Sequence, residues 1–144
     1  MTLRSRLHAM KEDDDGSILP LILGYVVLAV AVLLVCVSAT DLYIAQKRLD
    51  SLADAAALAG SDGFTLQVEG EQVHARLTDA GVRAQAQAVV DAVAQAAELT
   101  SATAPDGVSA RVTVATTWHP PVVSRLVPNG VPLEATATSR TALR

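Results

Sequence analysis

The feature that most limits how this chain can fold is a run of 22 consecutive uncharged residues, mostly apolar, at positions 18–39. A helix that crosses the hydrocarbon core of a bilayer needs about 20 such residues, because each residue adds roughly 1.5 Å. Pro20 falls in the first turn of such a helix, where its missing amide proton costs least. The run therefore predicts a transmembrane helix, which we assign to residues 18–40.

A cleavable secretory signal is the main alternative explanation for this run. Basic residues near the start of the chain and the small residues Val37, Ser38 and Ala39 at its end are features of such a signal. However, the apolar core of an ordinary signal is only about 7–15 residues long. Four acidic residues, at positions 12–15, also directly precede the run. Both observations favour a permanent anchor.

The distribution of basic residues predicts the orientation of this anchor. The cytoplasmic flank of a membrane helix carries the excess of Lys and Arg, and three such residues precede the run whereas two follow it closely. We therefore expect residues 1–17 to be a cytoplasmic leader and the rest of the chain to be extracytoplasmic. The basic residues are Arg4, Arg6 and Lys11 before the run and Lys47 and Arg48 after it.

The helical pattern continues beyond the run, over residues 41–60. This segment has no proline and no internal glycine, and its apolar residues recur at a spacing that places them on one helix face. We interpret it as a stalk helix that ends at Gly60, because glycine suits the left-handed conformation of a helix stop. The apolar face predicts contact with a partner helix or, equally, with the protein's own domain. Its members are Leu42, Ala45, Leu49, Leu52, Ala56 and Ala59.

The remaining residues, 61–144, predict a small extracytoplasmic domain that begins with a hairpin and a helix. Runs of alternating apolar and polar residues at 64–68 and 73–77 flank a turn that contains glycine, which is typical of a β-hairpin. Thr78 then caps a second predicted helix, which we place at residues 82–99.

Two more strands complete the predicted domain. After a predicted loop at residues 100–107, alternating residues indicate strands at 108–118 and 131–142. Pro120 ends the first of these, because proline cannot donate to a sheet ladder. The expected fold class is α+β, with a short antiparallel sheet packed against the two helices.

Little in the sequence points to catalysis or ligand binding. His8, His74 and His119 lack metal-ligand spacing, and no phosphate-binding loop, zinc signature or nucleophile elbow is present. The single cysteine, Cys36, excludes an internal disulfide. A net charge of −4 and 3% aromatic residues argue against nucleic-acid binding. We therefore expect a protein that is not an enzyme, with no cofactor, no metal and no small-molecule substrate.

The leader, the uncharged run and the helix that follows form a combination with a known counterpart. Residues 12–63 resemble the N-terminal region of TadE/TadG-like proteins of the Flp (tight adherence) pilus machinery, and ADAAALAG at residues 53–60 is the most specific element. The matching residues are Gly16, Ser17, Asp41, Tyr43, Ala45, Arg48, Leu49, Asp54, Ala55, Ala56, Ala57, Leu58, Ala59 and Gly60.

The resemblance implies a membrane-anchored, minor pilin-like or assembly component of an Flp-type pilus or a related secretion system. Prepilin-type precursors are cut after a glycine, which corresponds to Gly16, so that Ser17 would begin the mature chain. They carry glutamate at the fifth mature position, where this chain has Leu21. This departure favours the TadG-like variant, in which the helix stays an anchor.

The resemblance also implies the partners and the location. The partners would be other pilin-like subunits and platform proteins of the inner membrane, contacted through the helix of residues 18–60. The location would be the cytoplasmic membrane. An alternative is a membrane-anchored ligand-binding or sensory domain with a pocket near Trp118 and His119. A hydrolase released by cleavage after Ala39 is a third hypothesis, against which the missing catalytic constellation counts.

Overall fold

The computed structural model describes residues 15–69, 72–94, 96–122, 124 and 128–140, which form a mixed helix and sheet fold. The chain divides into two compact units, Met1–Thr40 and Asp41–Arg144. In chain order the elements are helix α1 (Asp15–Ser61), strands β1 (Phe64–Glu69) and β2 (Gln72–Leu77), helix α2 (Asp79–Val93), and strands β3 (Glu98–Thr103), β4 (Ser109–Trp118) and β5 (Val131–Arg140).

Within the first unit, helix α1 presents apolar side chains on all sides. Its most apolar window has a mean hydropathy of 3.0, and none of that window is buried. Leu21 and Leu28, for example, are 73% and 60% exposed. Water solvates a helix poorly when all of its faces are apolar and exposed. The length and composition of this helix fit a single-pass anchor.

The second unit has a core of small side chains, to which helix α1 contributes its last turns. Among the residues that the structure describes, the largest fully buried side chains are valines and no aromatic residue is buried. Half of the core residues are alanines, which allow helix and sheet backbones to approach closely. The core residues are Leu49, Leu52, Ala53, Ala56, Ala57, Leu77, Val82, Ala86, Val90, Ala102, Ala110, Val112, Val114 and Ala135.

The strands form two separate antiparallel sheets. β1 and β2 pair as the predicted hairpin, and β3, β4 and β5 form a three-stranded sheet in the order β3-β4-β5. Strands β4 and β5 begin within one residue of the predicted starts. Along β5, Ala135 is buried and its neighbours Glu134 and Thr136 are exposed.

The second helix is shorter than predicted, and the predicted loop after it is partly a strand. Thr78 caps helix α2 as expected, because its hydroxyl oxygen accepts from the Gly81 amide at 3.1 Å. The helix ends at Val93, however, and the segment from Glu98 to Thr103 pairs with β4. Pairing with the central strand buries Ala102, and this tertiary contact outweighs the helix propensity of the alanines before it.

Gly60 is not the left-handed helix stop that the sequence predicts. It lies within helix α1, and among the described residues only Gly107 and Gly130 have positive φ. A Cβ on Gly60 would lie 2.9 Å from Cγ1 of Val82, which is too close for an unstrained contact. Glycine is therefore needed here because helix α1 passes close to helix α2.

Asp106 organises the turn that leads into β4. Its carboxylate accepts hydrogen bonds from the Val108 amide at 3.0 Å, the Ser109 amide at 2.6 Å and the Ser109 hydroxyl at 2.8 Å. Gly107, with a φ of 71°, supplies the left-handed residue of the turn, and its carbonyl accepts from the Leu77 amide at 2.8 Å. The turn therefore connects the hairpin with the three-stranded sheet.

These hydrogen bonds predict how the stability of the second unit responds to acid. The Ser109 hydroxyl, followed by the Val108 and Ser109 amides, lowers the pKa of Asp106 below its ordinary value of 3.8. Because the folded-state pKa is lowered, the ionised carboxylate stabilises the fold at pH values above 3.8. That stabilisation is lost as the pH falls through the folded-state pKa.

We expect Asp106→Asn to lower the melting temperature at neutral pH. Because the variant lacks this carboxylate, its melting temperature should decrease less than that of the wild type below pH 4. The measurement is the melting temperature of wild type and variant between pH 7 and acid, with Asp62→Asn as a control at another exposed aspartate. An equal acid-induced decrease in the wild type and in Asp106→Asn would contradict the assigned role of this carboxylate.

Candidate partner-binding surface

An apolar groove of about 890 Å³ runs along helix α1 in the second unit. One wall is α1 itself, and the other is formed by the end of helix α2 and the segment that follows it. The Thr116 hydroxyl fixes that segment by donating to the Ala96 carbonyl at 2.8 Å. The lining residues are Tyr43, Ile44, Ala45, Lys47, Arg48, Leu49, Ser51, Leu52, Ala55, Val93, Ala94, Ala96, Ala97 and Thr116.

Large apolar side chains remain exposed at this groove. Tyr43 is 63% exposed, Ile44 is 42% exposed, and Val93 on the opposite wall is 70% exposed. Exposed apolar residues that line one concave surface are typical of a site that binds another apolar surface. Tyr43 and Ile44 are not among the residues predicted to contact a partner, because they lie beside the apolar stripe and not within it.

Basic residues lie along the same groove. The Lys47 ammonium is 3.1 Å from the Asp50 carboxylate and 5.9 Å from the centre of the Tyr43 ring. The hydrogen bond to Asp50 raises the pKa of Lys47, and hydrogen bonds from Gln46 and then Lys47 lower the pKa of Asp50. The Lys47 ammonium is therefore paired with a carboxylate on its own helix, and Arg48 is a second exposed positive side chain along the groove.

The structure places the predicted stripe residues in two environments. Leu49, Leu52 and Ala56 are buried in the core of their own unit, at 4%, 6% and 0% exposure. Leu42, Ala45 and Ala59 are half-buried. Leu49 and Leu52 also form the floor of the groove, so a partner would reach them only through it. Contact with a partner stays a prediction for the stripe as a whole.

The other predicted sites lie apart from the groove. Gly16 and Ser17 are in the first turn of helix α1. The Trp118 indole N–H donates to the Asp41 carboxylate at 2.8 Å, and His119 is exposed at the end of β4. Neither Trp118 nor His119 lines the groove. Over the part of the chain that the structure describes, no cluster of His, Cys, Asp and Glu could hold a metal ion.

The fold and the surface define a class of protein. Among the described residues one helix is long and apolar enough to cross a membrane, and it leads into a small α+β unit with an apolar groove. Residues 16–63 match the family model described as "Putative Flp pilus-assembly TadE/G-like". The predicted resemblance is thereby confirmed over one third of the chain, and it indicates involvement in Flp pilus assembly, a family role that is generally not enzymatic. Searches among curated proteins and among solved structures found no match.

Proposed function

We propose that the protein is a membrane-anchored, minor pilin-like or assembly component of an Flp-type pilus or a related secretion system. The observation that carries this proposal is the family match, which spans nearly the whole of helix α1. The matched segment includes both the exposed apolar part of the helix and one wall of the groove. The family resemblance and the exposed surfaces thus coincide on one element.

In this proposal each part of the chain has a location. Residues 1–17 are a cytoplasmic leader, residues 18–40 cross the cytoplasmic membrane, and residues 41–60 continue as helix into the extracytoplasmic domain of residues 61–144. The excess of basic residues before the apolar run supports this orientation. Leu21, at the position where pilins carry glutamate, supports an anchor that is retained without cleavage after Gly16.

The proposed partners are other pilin-like subunits and inner-membrane platform proteins, which bind through a helix laid into the groove. The groove is open and mainly apolar, as a helix-binding groove must be. The positive charge of Arg48 favours a partner helix with a carboxylate at the edge of its apolar face. The half-buried Leu42 and Ala45 lie on the same helix and extend this contact.

A charge in the groove tests this proposal. We expect Ile44→Glu to reduce co-purification with pilin-like subunits from native membranes, because it places a carboxylate on the apolar wall. Leu58→Glu is the matched control, because Leu58 is 61% exposed on the same helix and does not line the groove. Membrane fractionation of both variants verifies insertion, and the intact mass of the purified wild type shows whether residues before Ser17 are retained.

The outcomes separate the proposed function from the proposed surface. Unchanged co-purification of Ile44→Glu with its partners would overturn the groove as their binding surface. A wild-type protein that co-purifies with no pilus component, in cells that assemble Flp pili, would contradict the function itself. Retention of a small molecule by the wild type and its loss in Ile44→Glu would instead support the ligand-binding alternative.

A further inference from the structure

Two contacts of helix α1 show which end of the three-stranded sheet lies beside the first residue of the second unit. The Trp118 indole N–H donates to the carboxylate of that residue, Asp41, at 2.8 Å. Twenty residues further along α1, the Ser61 hydroxyl accepts from the Ser139 hydroxyl at 3.5 Å. Ser139 pairs with Ala110 near the start of β4, whereas Trp118 is the last residue of β4. The sheet therefore has a Trp118 end, beside Asp41, and an opposite end, beside Ser61.

Asp41 sets the distance between Trp118 and the membrane. In the proposed anchor, residues 18–40 cross the bilayer, so the chain itself holds Asp41 at the membrane surface at any angle between the two units. The hydrogen bond to Asp41 holds Trp118 at the same level. Tryptophan is enriched at membrane–water boundaries, because its ring is apolar and its N–H is polar. In Trp118 the N–H has its partner, and the ring is only half-buried.

Exposed apolar residues follow Trp118 directly. Pro121 is exposed, and Val122, four residues after Trp118, is 48% exposed. The segment that connects β4 with β5, residues 119–130, contains no aspartate or glutamate. An exposed apolar patch without acidic residues, next to a membrane span, is suited to contact with lipid.

The opposite end of the sheet is charged. Asp62 and Asp106 are exposed there, as is Arg140 at the end of β5. Charged side chains favour water over the apolar part of a bilayer. The two ends of the sheet therefore differ in polarity, and the apolar end is the one beside the membrane span.

We propose that the Trp118 end of the sheet is a lipid-binding surface, at which Trp118, Pro121 and Val122 contact the boundary between headgroups and acyl chains of the extracytoplasmic leaflet. The second unit then meets the bilayer through its sheet as well as through helix α1, which restricts how it can turn to present the groove. The contact with lipid rests on the proposed membrane anchor and not on the pilus role. It is separate from the groove, which none of these three residues lines.

The fluorescence of Trp118, the single tryptophan, tests this surface directly. The full chain is placed in phosphatidylcholine vesicles with three quenchers in turn: lipids brominated near the headgroup, lipids brominated near the end of the acyl chain, and iodide on both sides of the bilayer. We expect the shallow bromine to quench Trp118 most strongly and iodide to quench it weakly.

Moving the tryptophan to the other end of β4 provides the matched control. Val108 is 44% exposed and precedes β4 directly, so Trp118→Phe/Val108→Trp shifts the probe by about 33 Å along the strand. This tryptophan should be quenched by iodide and not by brominated lipid. Equal quenching of both probes by the shallow bromine would overturn the Trp118 end as the particular site of lipid contact.

A charge on the surface supplies the second arm of the experiment. Val122→Asp should cause a loss of quenching by the shallow bromine, because a carboxylate is excluded from the apolar boundary. Val108→Asp adds the same charge at a residue of similar exposure and should leave the quenching of Trp118 unchanged. Unchanged quenching in Val122→Asp, or an equal loss in both variants, would overturn the proposal.

Flotation of the vesicles separates the lipid-binding surface from the anchor. A chain that floats with the vesicles while its Trp118 is quenched by iodide and not by brominated lipid would overturn the surface and leave the anchor intact. A chain that does not float would contradict the anchor, and the lipid-binding surface with it.

Discussion

The double substitution Leu28→Arg/Val32→Arg is expected to remove the protein from the membrane fraction. Both side chains lie in the middle of the apolar run and are more than half exposed, so none of the described residues shields a charge there. Each arginine at the centre of a membrane helix costs about 2.5–3.5 kcal/mol, or about 5–7 kcal/mol for the pair. The measurement is the share of protein that remains in membranes after alkaline carbonate extraction.

Leu28→Val/Val32→Leu is the control for this experiment, because it exchanges the same two apolar side chains and adds no charge. Its membrane association should equal that of the wild type. A doubly arginine-substituted chain that still resists carbonate extraction would show that residues 18–40 are not the membrane anchor, although their length and composition fit one.

Leu52→Ala is expected to destabilise the second unit by about 2–5 kcal/mol, the usual cost of truncating a buried leucine. Leu52 is only 6% exposed, and the core to which it belongs consists mainly of alanines and valines, whose short side chains cannot extend to fill the space. For a unit of this size such a loss is a large part of the total stability. Urea unfolding, followed by the fluorescence of Trp118, the single tryptophan, measures the change.

Leu58→Ala is the matched control for Leu52→Ala, because Leu58 is on the same helix but 61% exposed. It should change the free energy of unfolding by no more than about 0.5 kcal/mol. If both variants unfolded at the urea concentration of the wild type, the burial of helix α1 in this unit would be wrong. Leu52→Ala and Leu58→Ala measure the effect of helix α1 on folding, whereas Ile44→Glu measures its effect on partner binding.

Local patterns in the sequence were sufficient to predict most elements of the fold. The 22-residue uncharged run, the two hairpin strands and the alternation along β4 and β5 depend on side-chain periodicity, which is readable without a structure. The helix cap Thr78 was predictable from its residue type and position. The hydrogen bond that it accepts comes from the Gly81 amide, only three residues along the chain. These features are local in origin.

The features that the sequence did not predict correctly depend on contacts between residues that are distant in the chain. Strand β3 was missed because its pairing depends on β4, and the alanines before it also favour a helix. The role of Gly60 was misassigned because Val82, which it contacts, lies in another helix. The groove was not predicted at all, since Val93 and Tyr43 come to line one groove only when the two helices pack.

The alanine-rich core makes the second unit asymmetric in its response to mutation. At Ala53, Ala56 and Ala110 there is little side chain to remove, so truncation changes the packing by at most one methyl group. There is equally no room to add atoms, because the backbones are already close and a larger side chain forces them apart. Substitution at these three alanines is therefore limited in the direction of larger residues, and glycine and serine are the replacements that change the side-chain volume least.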